Sequence, residues 1–173
     1  MRRVVLLGFC ACGRIAFEPS GATRDAVDAP RLLVDAPRFS FDAGQCPPGY
    51  SFVGTSCYRA AAMTATSDWL SDELACEANA VGAHLVVIVD NAELDTVRTL
   101  ISTEPTWIGT SKRSGGYKAV TGVSPYLALG VQTEPSEDCL SLHFDSKMYL
   151  HTCGDKSAYV CEYDGVSADP SSY

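Results

Sequence analysis

Eight cysteines in a chain of 173 residues constrain what it can fold into more than any other feature. Six of them, Cys46, Cys57, Cys76, Cys139, Cys153 and Cys161, are spread along one stretch, and Cys10 and Cys12 lie near the N-terminus. Zinc fingers and ribbons need closely spaced ligand pairs of the C-x2-C or H-x3–5-H kind, and the chain has neither. The cysteines therefore read as disulfides, the usual supplement to a small core in an oxidising compartment. Six cysteines admit many pairings, and their spacing does not choose among them. The formal charge is −8, and residues 46–163 hold 7 basic against 14 acidic side chains. So acidic a domain repels phosphate backbones, which argues against a nucleic-acid partner.

Residues 1–12 have the form of a signal peptide: Met1-Arg2-Arg3 is basic, and Val4 to Phe9 is a short apolar run. That run is far below the ~18 residues of a membrane span. Phe9-Cys10-Ala11-Cys12-Gly13 resembles a bacterial lipoprotein box with Cys12 as the lipidated residue, an ordinary cleaved leader being the alternative. The membrane then enters only through such an anchor, and the expected location is secreted or on the cell envelope. Residues 13–45 read as a disordered linker, because Val27-Asp28-Ala29-Pro30 recurs as Val34-Asp35-Ala36-Pro37. Each proline removes a donor and restricts the residue before it, which favours an extended tether. Residues 164–173 are small and polar and read as a disordered tail.

Between these accessories the pattern is α+β. Tyr50 and Phe52 alternate ahead of the Gly54-Thr55 turn, a hairpin with Cys46 and Cys57 facing across it. Asp68 is placed to cap a helix that runs to Asn79, with Leu70 and Leu74 on one face and Trp69, Cys76 and Ala80 on the next. Leu85–Val89 reads as a buried strand, and Asp90-x-x-Glu93 as a capping box that opens a second helix facing inward through Leu94, Val97 and Ile101. Trp107-Ile108-Gly109, Cys139–Phe144, Tyr149–Cys153 and Ala158–Glu162 read as strands, and residues 112–135 as a long loop.

The six cysteines, Gly82-Ala83-His84-Leu85, Trp107-Ile108-Gly109, Glu137-Asp138-Cys139 and Tyr159-Val160-Cys161-Glu162 together resemble the C-type lectin-like domain in its long form. The resemblance covers residues 46–163, about two thirds of the chain. It implies two helices, small antiparallel sheets, a long loop region and the disulfides Cys46–Cys57, Cys76–Cys161 and Cys139–Cys153. It also implies non-catalytic recognition, of a glycan through the long-loop end or of a protein surface without calcium.

In the calcium-dependent sugar-binding members the long loop carries Glu-Pro-Asn or Gln-Pro-Asp, with further ligands before the third core cysteine and in a Trp-Asn-Asp segment. The resemblance places Glu134-Pro135-Ser136 at the triplet, Glu137 and Asp138 at the acidic pair, and Met148-Tyr149-Leu150 at the last segment. Glu134, Ser136, Glu137 and Asp138 are thus the candidate metal ligands. Calcium takes six to eight oxygens, so Tyr149 and Leu150 in place of Asn and Asp weigh against calcium dependence. Metal-free sugar binding instead uses aromatic faces, for which Tyr117, Tyr126 and Tyr149 are the candidates, with Gln132, Ser136 and Lys147 as polar partners. No Gly-x-Ser-x-Gly or HExxH motif is present, so no catalytic residue is assigned. His84 belongs to a structural phrase, whereas His143 and His151 fall where neighbouring strands would bring them together, near Asp145.

Overall fold

The computed structural model describes residues 45–173 apart from 103, 114–115, 128–130 and 133–137. The leader with Cys12, the linker to residue 44, and Glu134, Ser136 and Glu137 lie outside the described residues. Nine strands form one sheet among the described residues: β1 (Ser51–Val53), β2 (Ser56–Ala61), β3 (Ala83–Leu85), β4 (Thr106–Arg113), β5 (Gly116–Ala119), β6 (Val131–Gln132), β7 (Cys139–Leu142), β8 (Met148–His151) and β9 (Ala158–Tyr163). Their order is β1-β2-β9-β4-β7-β8-β6, with β3 also paired to β9 and β5 to β4. The expected small antiparallel sheets are thus one mixed sheet, since β4 runs parallel to β9 and β6 parallel to β8. The parallel join is held by two groups that reach Pro105 O, the Ser157 hydroxyl and the Ala158 amide.

The α-helix α1 (Trp69–Asn79) starts where Asp68 accepts from the Ser71 amide, and α2 (Asn91–Arg98) starts where Asp90 accepts from the Glu93 amide. Each cap satisfies an otherwise orphaned N–H of the first turn. α1 packs inward through the face of Trp69 and Cys76, joined by Asp72 and Glu73, while Leu70 and Leu74 on the adjoining face are exposed. Glu73 is drawn inward because its Oε2 accepts the Leu85 amide of β3 at 2.7 Å. Trp69 is fixed by an indole N–H donated to Ile108 O at 2.8 Å. Ile101 lies beyond the end of α2, which stops at Arg98.

Residues 85–88 alternate between the two faces. Leu85 and Val87 join one apolar cluster with Trp69, Trp107 and the Cys76–Cys161 bridge, while Val86 and Ile88 join the other with Leu140, Leu142 and Leu150. Only Ala83–Leu85 pairs as a strand; Gly109 then donates to Val86 O at 2.7 Å. A Cβ on Gly109 would collide with the Leu85 carbonyl oxygen, so glycine is required by this close approach. The disulfides join Cys46–Cys57, Cys76–Cys161 and Cys139–Cys153, with Cα separations of 5.6, 5.4 and 5.0 Å.

Two more expectations are revised. The loop read over 112–135 contains β5, which forms a hairpin on β4, and the short β6. The disordered tail expected over 164–173 is instead docked. Its Pro170–Ser172 turn is capped by Asp169, the Asp169 amide reaches Val120 O, and Tyr173 packs edge-on to Trp69 and bonds Glu77. A buried indole needs a cover, and the terminal tyrosine supplies it.

Candidate functional site

Side chains in a strand alternate between faces, so β8 has only one way to present its four residues. Met148 and Leu150 are buried, at 1% and 2% exposure, in the cluster with Leu140 and Leu142. Tyr149 and His151 point to the other face, opposite Ser141 and Cys139 of β7. His143 continues that face beyond β7, where its amide closes a turn onto Lys147 O. The result is a group of half-buried rings: His143 lies 4.3 Å from Tyr149 and 5.5 Å from His151, and His151 meets Trp107 edge-on at 5.9 Å.

Asp145 organises the outer end of this face. It accepts from the Lys147 amide and the Tyr149 hydroxyl and lies 3.3 Å from Lys147 Nζ. These hydrogen bonds hold its carboxyl below the usual range. Burial and the neighbouring His151 lower the pKa of His143, which favours its neutral form. Two predicted binding residues, Lys147 and Tyr149, thus share one partner. Tyr117 and Tyr126 are not on this face: both pack against the cluster that holds Leu150. Asp138 is exposed, and its backbone joins Lys112 and His151. Gln132 lies in β6 beside Tyr149 of β8. Tyr149 and Leu150 supply neither carboxylate nor amide oxygen, and the Leu150 side chain faces the core.

A second constellation, of which the sequence names His84, Glu93 and Glu162 only in structural phrases, lines a cavity of about 340 Å³. His84 Nδ1 meets Leu85 O at 2.8 Å and Nε2 meets Asp164 at 3.2 Å. Burial alone would lower its pKa, but the Asp164 hydrogen bond and the Glu162 charge outweigh it and raise it to about 9. Glu162 is pushed up to about 8 by burial and by Glu93, whose own carboxyl burial also raises. Tyr58 donates to Glu93, which accepts the Val89 amide as well. His84, Glu162 and Asp164 each offer one donor atom within 4.8 Å of the others, a set able to hold a cation. Both nitrogens of His84 are nevertheless engaged, so the group reads as a self-neutralised buried network. No spacing signal in the sequence links its members, which come from β2, β3, α2, β9 and the tail.

The lectin C-type domain model matches residues 65–163 of the chain. Among curated proteins, the chain is 29% identical over 143 residues to one chain of the snaclec coagulation factor IX/factor X-binding protein of Gloydius halys, covering 76% of this chain and 93% of that one. It is 30% identical over 130 residues to one chain of snaclec salmorin of Gloydius brevicauda, covering 68% and 82%. Among solved structures, human lithostathine superposes with a TM-score of 0.60 at 22% identity, over 77% of this chain and 98% of the other. The carbohydrate-recognition domain of the human scavenger receptor C-type lectin gives 0.57 at 24%, over 69% and 98%.

Proposed function

Because this chain belongs to the C-type lectin domain family, we propose that it is a non-catalytic, extracytoplasmic recognition module that binds a protein surface without calcium. The observation that carries this reading is the inward placement of Leu150, 2% exposed, beside a Tyr149 already bonded to Asp145. Positions that supply calcium oxygens in the resemblance are here a core side chain and a phenol. The snaclec relative of Gloydius halys is named for binding coagulation factors IX and X, which supports a protein ligand. The three disulfides support an oxidising location. A glycan is the second reading, favoured by the half-buried Tyr149 and His143 rings, which match the apolar face of a pyranose.

The test is thermal unfolding of the oxidised chain in millimolar calcium and in chelator. A ligand at 100 times its dissociation constant adds ~2.7 kcal/mol of stability, so a working calcium site raises Tm visibly and sinks the proposal. Arrays of extracellular proteins and of glycans, both probed in chelator, then separate the two ligand classes. Retained protein signal that falls in Tyr149→Ala is the expected result.

A further inference from the structure

Two of the three histidines of this chain meet at one point on the sheet surface. His143 Nε2 and His151 Nε2 are 3.3 Å apart, and the two ring planes differ by only 4°. Both nitrogens therefore turn their in-plane lone pairs into the same small gap. Ser141 Oγ lies 3.1 Å from His143 Nε2, a third donor on the same side. The recognition reading above uses the His143 ring face but not these nitrogens, and the strand register that brings them together is fixed by β7–β8 pairing.

Imidazole nitrogens bind zinc at about 2.0–2.1 Å, and a tetrahedron with such bonds has an edge of about 3.3–3.4 Å. The observed nitrogen separation equals that edge. A small in-plane turn of each half-buried ring brings the lone pairs onto a common ion. We propose that His143 and His151 form a bidentate site for a divalent d-block cation of the zinc, nickel or copper class, with the remaining coordination positions open to solvent. Ser141 is placed to hold a water on the ion. Hard calcium and magnesium are excluded by the donors, because they select oxygen over imidazole. The open positions would accept a carboxylate or imidazole from a bound partner, since the site lies on the Tyr149 face.

The untagged, oxidised full chain is titrated with zinc and with nickel in a calorimeter. One equivalent is expected to bind, and His143→Gln or His151→Gln should each weaken it at least tenfold while Tm without metal stays within a few degrees. Asp164→Asn, which cuts the separate His84 network, should leave the affinity unchanged. No binding by the native chain would mean that the two rings share only a proton, and the proposal fails. Binding that survives His143→Gln, or that is lost in Asp164→Asn, places the ion elsewhere and also overturns it. The readout needs no macromolecular ligand, so its failure leaves the recognition reading standing, and failure of the calcium test leaves this one standing.

Discussion

Glu73→Gln isolates the cost of keeping a carboxyl in the core. Glu73 is fully buried; one oxygen accepts the Leu85 amide at 2.7 Å and the other has no partner among the described residues. Burial raises its pKa from 4.5 to about 7, opposed by the Leu85 hydrogen bond. Between those values the folded protein holds a proton that the unfolded chain releases. Stability from this group is therefore complete below about pH 4.5 and declines as pH rises to about 7. At 1.36 kcal/mol per pKa unit the total decline is about 3 kcal/mol. Glutamine keeps the acceptor for Leu85 and cannot ionise, so the variant lacks this slope. Urea unfolding with disulfides intact, repeated across about pH 5 to 8, should show the variant gaining on the native chain by about 3 kcal/mol. Asp72 and Glu162 titrate in both proteins and cancel in the difference, whereas His84, whose charge lowers the Glu73 pKa, is followed separately by its imidazole NMR signals. Two parallel curves would refute the argument, because Glu73 would then ionise alike in both states.

Three further outcomes are expected. Gly109→Ala should lose about 3 kcal/mol, read as a lower urea midpoint at constant slope, since its Cβ meets backbone at Leu85 and the Val120 side chain. Replacing Cys76 and Cys161 together by alanine opens a loop of 85 residues and should cost about 4 kcal/mol in the same assay. Asp164→Asn should lower the His84 pKa from about 9, followed by the imidazole proton signals in an NMR titration. Because that pKa is raised by folding, the stability it confers is full below about 6.5 and lost through about 9, and the variant should be flatter there.

The fold is legible in the sequence because its markers are local or chemically distinctive. Asp68 and Asp90 announce their helices, and the six core cysteines with Trp107-Ile108-Gly109 carry the family resemblance. The Trp69 and Cys76 face of α1 is legible too, but the burial of Glu73 on it is not, because the Leu85 amide that recruits that carboxylate lies in another element. Tyr173 is hidden among small polar neighbours, and its docking follows from contacts with Trp69 and Glu77 of a distant helix. The inward turn of Leu150 is readable from strand alternation, and so is the meeting of His143 with His151. The network of Tyr58, His84, Glu93, Glu162 and Asp164 has no such signal, because its geometry arises only when β9 lies beside β2 and β3.

The place of β9 also bears on how this molecule is made. The last strand sits at the middle of the sheet, hydrogen-bonded to β2, β3 and β4. No partial chain ending before residue 158 can close that sheet, because the pairings of β2, β3 and β4 with β9 all wait for it. Folding that depends on such distant partners is slow, on the order of milliseconds to seconds. Oxidation follows the same timetable: Cys46 and Cys57 can join as soon as their hairpin exists, whereas Cys76 must stay reduced until Cys161 arrives. An oxidant that acts before residue 161 is made can give Cys76 only a non-native partner, which thiol–disulfide exchange then has to undo.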